Sequence, residues 1–133
     1  MNKIGLIFHG PYTKSTSKLI KNAIEAFNLK DIVYVTNDQN LNFDNFSKIK
    51  VISPKDPGEL KWLGKKAINL FRHMENVKTG CIFLKSYTYL FKIRSDLRLN
   101  TNDFFKLKKA ANKNINKLIK VRNFTTFIPF HDL

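Results

Sequence analysis

Tyr87-Thr88-Tyr89-Leu90-Phe91-Lys92-Ile93-Arg94-Ser95-Asp96-Leu97-Arg98-Leu99 is the stretch whose reading decides the fold. Tyr89, Leu90, Phe91 and Ile93 form a short apolar run rich in strand-forming residues, and the chain then turns abruptly polar at Arg94-Ser95-Asp96. This predicts a buried strand that delivers a carboxylate at its C-terminal end. In open α/β sheets ligands sit beyond the carboxyl ends of the strands, so an acid there, flanked by Lys92, Arg94 and Arg98, reads as a phosphate or metal-phosphate site. The bland alternative is an exposed turn carrying a stray salt bridge.

Upstream, the grammar is strand, helix, strand. Ile4 to Phe8 is a compact apolar run ending in His9-Gly10-Pro11-Tyr12, a first buried strand followed by a tight turn. A helix is predicted from about Lys14 to Asn28, with Leu19, Ile20, Ala23, Ile24 and Phe27 on one face and Thr13 or Ser15 as cap. Ile32-Val33-Tyr34-Val35 is a second strand that also runs directly into polar residues, Asn37 and Asp38. Such alternation predicts a parallel sheet with right-handed crossovers.

The segment 39–47 reads as a polar loop, and Ile49, Val51 and Ile52 as a third strand closed by Pro54. Asp56, Pro57 and Glu59 then spell a helix start, with the acid as N-cap and proline at the first helical position. In that helix Leu60, Leu63, Ala67, Leu70, Phe71, Met74 and Val77 are expected to face the core. Lys65, Asn69, Arg72 and Asn76 line an opposite polar stripe, read either as a solvated face or as one wall of the cleft at Asp96. A helix over 100–118 should place Phe104, Phe105, Leu107, Ala111, Ile115 and Leu118 inward behind a Thr101 or Asn102 cap, and a final strand is expected over 119–127.

A chain of 133 residues with 43% hydrophobic content and 12 Phe fits one folded domain spanning 1–133. Its 24 Lys plus Arg against 10 Asp plus Glu give a formal charge of +14. A field of that sign draws nucleotides, nucleic acid, lipopolysaccharide or an acidic membrane surface without choosing among them. Cys81 stands alone among Ile82, Phe83 and Leu84, which excludes a disulfide framework and predicts a small buried side chain. With neither a signal-peptide pattern nor an apolar stretch of spanning length, a cytoplasmic location is expected, with peripheral contact at the inner membrane face as a further expectation.

Several segments together resemble the WavE-like lipopolysaccharide-synthesis family, whose members look like glycosyltransferases of the GT-A fold. Leu6-Ile7-Phe8-His9-Gly10-Pro11 is similar to that family's opening strand followed by Gln-Gly-Pro, with His9 in place of Gln. Ile32-Val33-Tyr34-Val35-Thr36 resembles its second strand, Asn69 and Arg72 its Asn-x-x-Arg helix, and Gly80 the glycine later on that helix. Lys92-Ile93-Arg94-Ser95-Asp96 looks like its Lys-x-Arg-Ser/Thr-Asp motif, and Phe130-His131-Asp132 like the start of a later segment. The family continues into acceptor-binding segments, so the resemblance implies a Rossmann-like, three-layer, mostly parallel GT-A-like sandwich that is truncated here.

The resemblance implies a nucleotide-sugar donor, a lipopolysaccharide or capsule glycan or lipid-linked acceptor, and transfer of the sugar between them. His9, Gly10, Pro11, Asn37 and Asp38 would meet the base and ribose, with Gly10 permitting close backbone approach. Arg72, Arg94, Arg98 or a bound Mg²⁺ or Mn²⁺ would meet the diphosphate as its charge develops, Asn69 is a further donor-binding candidate, and Asp96 would ligate the ion. GT-A metal sites often present Asp-x-Asp, whereas Arg94 takes the first position here. Asp132 is the late candidate for the base that an inverting reaction requires. Two other readings remain: a noncatalytic nucleotide-binding module that has lost the acceptor half, and a basic nucleic-acid-binding domain. The second is weakened because most aromatics fall at core-periodic positions and no nucleic-acid-binding motif is present.

Overall fold

The computed structural model describes residues 3–39, 48–56 and 68–113, the side chains of 68–70 excepted. Within them the chain runs β1 (Ile4–His9), α1 (Thr16–Ala26), a 3-10 turn (Leu29–Asp31), β2 (Ile32–Val35), β3 (Lys50–Ile52), α2 (Ile68–Phe83), β4 (Tyr89–Arg94) and α3 (Thr101–Lys113). All the strand pairings are parallel, in the order β3-β2-β1-β4. This is a Rossmann-like α/β sandwich of three layers. The loop expected over 39–47 falls outside the described residues except at Gln39, and the same holds for the start of the second helix at Pro57, the final strand and Asp132.

β1 and β2 are buried along their whole length because they are the central pair, covered on both faces. On one face Ile4, Leu6 and Phe8 meet Leu19, Ile20 and Ala23 of α1 and Phe104 and Ala111 of α3. Phe8 and Phe104 stand edge to face with centroids 6.1 Å apart. On the other face Ile7, Val33 and Val35 pack with Leu84 beneath α2. β4 departs from the expected buried strand: it is the outer strand of the described sheet, with Lys92 and Arg94 exposed. Its Tyr-Leu-Phe run conceals an alternation in which Tyr89 and Ile93 are buried toward α1 and α3, while Leu90, Lys92 and Arg94 share the opposite face.

The connection through α1 carries the chain from β1 to β2, and the one through α2 carries it back across the sheet to β4. Right-handed crossovers in opposite directions must lie on opposite faces, which accounts for the sides taken by α1 and α2.

α2 turns a different face inward from the one predicted. Phe71, Met74 and Val77 are half-buried, whereas Asn76 and Gly80 are buried. A Cβ on Gly80 would lie 2.5 Å from Cγ2 of Ile7, so the bare glycine is what lets the helix sit this close to β1. Gly80→Ala is therefore expected to lower the unfolding free energy by about 1 kcal/mol, the midpoint of a net cost of about 0–2 kcal/mol. Overpacking of a core contact costs about 1–3 kcal/mol, against a helix-propensity gain of about 1 kcal/mol. Urea denaturation should show the Gly80→Ala and Ile7→Ala costs to be less than additive in the double variant; strict additivity would mean that the two sites do not touch.

The helix caps also differ from expectation. Asn100, not Thr101 or Asn102, caps α3: its Oδ1 accepts from the Asp103 N–H at 2.8 Å and its own N–H donates to Asp103 Oδ2 at 2.9 Å. At α1 neither expected capping side chain bonds a helix N–H; instead Thr16 Oγ1 accepts from the Thr13 N–H at 2.9 Å. Phe105, read as inward, is 49% exposed, and Cys81, read as buried, is half-buried, just before exposed Ile82 and Phe83. No helix among the described residues is long and apolar enough to cross a membrane.

Candidate functional site

β1 has β2 on one side and β4 on the other, and the chain leaves toward these neighbours over opposite faces of the sheet. The boundary between β1 and β4 is thus the topological switch point, the place at the carboxyl edge where open α/β sheets bind their ligands. The strand ends meeting there are His9-Gly10-Pro11 and Arg94-Ser95-Asp96. In the register His9 lies opposite Arg94 and Ile7 opposite Lys92.

Ser95 joins the two ends. Its N–H donates to the His9 carbonyl at 2.9 Å, its Oγ donates to the Pro11 carbonyl at 2.6 Å, and its own carbonyl accepts from Thr16 Oγ1 at 3.0 Å. Gly10 has φ +118°, and a Cβ there would lie 2.7 Å from Ser95 Oγ. Here the positive φ and the close approach both require glycine. The Tyr34 hydroxyl donates to the Gly10 carbonyl at 2.9 Å, and burial pushes this phenol up to about 12, which keeps it protonated as a donor.

Around the rim, Asp38 Oδ2 accepts from the Tyr12 N–H at 2.8 Å, and Asn37 Oδ1 accepts from Asn76 Nδ2 at 3.0 Å. Asn37 Nδ2 reaches the Pro54 carbonyl at 3.3 Å, tying the β2 and β3 loops together. The side chains assigned from sequence to base and ribose thus hold the rim in shape. Arg72 lies over the β3 side of this edge, where it grips Asp56 with Nη2 2.6 Å from Oδ2 and Nε 2.9 Å from Oδ1. Both groups are partly exposed, and the pairing holds the Arg72 guanidinium above its ordinary range. Arg98 is exposed on the segment leading to α3; Asn69 is in α2, with its side chain outside the described residues.

The structure therefore brings His9, Gly10, Pro11, Asn37, Asp38, Arg94 and Asp96 to one edge, leaves Arg72 on Asp56 and sets Arg98 beyond the turn. His73, Ser95 and Tyr34 had not been assigned to the site. For His73 the sequence carries no signal beyond its place three residues before Asn76. The β-alternation does signal that His9, Lys92 and Arg94 share a face once the parallel pairing is known.

His9 is 1% exposed and its ring meets that of His73 edge to face at 4.9 Å. Burial, then the neighbouring His73, Lys92 and Arg94, push His9 down from 6.5 to about 4, against a small upward pull from Asp96. His73 is also lowered, by burial first and then by Arg94 and Lys92. Both imidazoles are therefore neutral near pH 7, each able to donate one N–H and accept at the other nitrogen.

Asp96 is 45% exposed, and both of its oxygens are held by Arg94, at 2.7 Å to Nη2 and 3.1 Å to Nε. A divalent ion of the Mg²⁺ or Mn²⁺ type is held by several oxygen ligands, usually carboxylates. Among the described residues no three His, Cys, Asp or Glu side chains gather as a metal site. A lone carboxylate among Lys92, Arg94 and two imidazoles, with no second acid beside it among the described residues, does not fit such an ion. What this edge offers is cationic and N–H-donating groups for a phosphoanion, next to a glycine turn where backbone can approach a ligand.

In comparisons with known proteins, no family model, no curated protein and no solved structure matches this chain.

Proposed function

We propose that this chain is the nucleotide-sugar-binding part of a GT-A-type glycosyltransferase, transferring a sugar from its nucleotide donor to a lipopolysaccharide or capsule glycan acceptor. The observation that carries the reading is the meeting of its two motif-like segments at the switch point. His9-Gly10-Pro11 and Lys92-x-Arg94-Ser95-Asp96, far apart in sequence, are joined there by the Ser95 hydrogen bonds to His9 and Pro11. A donor laid across this edge would place its nucleoside over the Gly10 turn and its diphosphate toward Arg94. As the bond from sugar carbon to diphosphate oxygen breaks, the electron pair goes to that oxygen, and fixed positive charge nearby stabilises it most in the transition state.

Thermal-shift titration with UDP, GDP and CMP sugars tests the reading. A ligand at a hundred times its Kd adds about 2.7 kcal/mol, and a gain of that size in a domain of this length raises Tm by several degrees. One nucleotide class should give such a rise while its free nucleoside gives much less. No rise with any of them would remove donor binding. Binding without release of free nucleotide in the presence of acceptor would leave a noncatalytic module, and a salt-sensitive rise with any oligonucleotide would favour the nucleic-acid reading instead.

A further inference from the structure

Neither ring nitrogen of His9 has a hydrogen-bond partner among the described residues, although the side chain is 1% exposed. Leaving a buried polar group unsatisfied costs about 1–3 kcal/mol. Folded proteins keep few such groups, and those they keep call for a reason such as catalysis or binding. The surroundings of His9 indicate what it would bind. On the same face of the sheet, Arg94 lies opposite it in register and Lys92 one pleat further back, both exposed, because α2 lies across β2 and β1. His73 closes the group from α2.

We propose that Lys92, Arg94, His73 and His9 form one diphosphate-binding subsite, on the α2 side of the switch point, which neutralises its ligand with side-chain groups and takes no divalent cation. Residues two apart on a strand are separated by about 7 Å, so Lys92 and Arg94 can each reach a different phosphate of one diphosphate. The guanidinium fork suits two oxygens of one phosphate, the ammonium acts as a point charge, and the neutral imidazole of half-buried His73 adds an N–H donor in front of the enclosed His9 ring. Asp96 does not block this arrangement. Its pair with Arg94 is surface-exposed, and exposed pairs are worth only about 0–1 kcal/mol, so an incoming phosphate displaces it readily. With the pair opened, Asp96 is free to turn to solvent while Arg94 turns to the ligand.

The nucleotide identity of the ligand rests on the reading proposed above; the anion site does not. Calorimetric titration of the full chain with pyrophosphate, UDP and GDP, each in EDTA and again in Mn²⁺, tests both. Pyrophosphate should bind in EDTA with a Kd within about twofold of that in Mn²⁺. Lys92→Ala combined with Arg94→Ala should weaken it at least tenfold, as the loss of charge-assisted hydrogen bonds implies. Lys78→Ala combined with Lys85→Ala removes the same charge from exposed positions elsewhere and should change it less than twofold. All four substitutions lie at exposed positions, and an unchanged Tm will show that the fold is kept. Binding that requires Mn²⁺, or equal loss in the two double variants, overturns the proposed subsite. Pyrophosphate bound as stated, with neither UDP nor GDP bound more tightly, leaves the subsite standing and removes the nucleotide reading. No binding by any of the three probes in either buffer removes both.

Discussion

Gly10→Ala is expected to lower the unfolding free energy by about 3 kcal/mol in chemical denaturation, from two causes that a second substitution separates. The first is the backbone: φ is +118° at Gly10, where an L-residue is strained by about 1–3 kcal/mol. The second is steric. The new Cβ would meet Ser95 Oγ at 2.7 Å, and that hydroxyl is not a loose chain end, because it donates to the Pro11 carbonyl at 2.6 Å. Moving it aside breaks a hydrogen bond worth about 1 kcal/mol. Ser95→Gly in the Gly10→Ala background removes the steric part and leaves the backbone part, so the double variant should remain about 2 kcal/mol below a chain carrying Ser95→Gly alone. Recovery to the level of Ser95→Gly would show that the contact, not φ, made glycine necessary. In either outcome the β1 turn and the β4 turn are tested as one unit, which the proposed donor site requires.

The parts of this fold legible in the sequence are those where burial is complete or the alternation simple. β1 and β2 read as uninterrupted apolar runs because they are central and covered on both faces, and the helix between them carries Leu19, Ile20 and Ala23 at helical spacing. β4 is legible as a strand but not as a half-buried one, since Tyr89, Leu90 and Phe91 stand together and hide its alternation. The inward face of α2 is hidden from the sequence for a different reason. Hydrophobic periodicity treats asparagine and glycine as outward-facing, yet Asn76 is admitted inside by its bond to Asn37, and Gly80 by the need to approach Ile7. Pairing partners of that kind come from loops distant in sequence, so no local pattern announces them. The same holds for the site. Gly10, Arg94 and Asp96 stood out as a turn and a charged strand end, whereas His73 belongs to it only because α2 crosses the sheet on the face where His9 points. The pairing of Arg94 with both Asp96 oxygens likewise follows only from the shape of the strand end, which no local pattern announces.

Between pH 6.5 and pH 4 the protein is expected to lose about 3 kcal/mol of stability through His9 alone. Above pH 6.5 the ring is neutral in both the folded and the unfolded chain, and the group contributes no difference. As pH falls through 6.5 the unfolded chain takes up a proton, while the folded chain refuses it until about pH 4. Stability therefore declines across that window and levels off below it, and a gap of this width at about 1.4 kcal/mol per pH unit sets the size of the loss. Burial is the main cause. The surrounding groups that also face the ring are His73 on α2 and Lys92 and Arg94 on β4, which oppose its charge, with Asp96 weakly favouring it. Carboxylates titrate over the lower part of the same range, so the comparison is between the parent chain and His9→Gln, which keeps a polar side chain of similar reach and has no charge to gain. Urea denaturation at closely spaced pH values should give curves that converge toward pH 4 from a parent that is the more stable near neutrality, or that cross if glutamine packs well. Parallel curves would mean that His9 accepts its proton in the folded chain as readily as in the unfolded one, and so that its ring is not enclosed beneath α2.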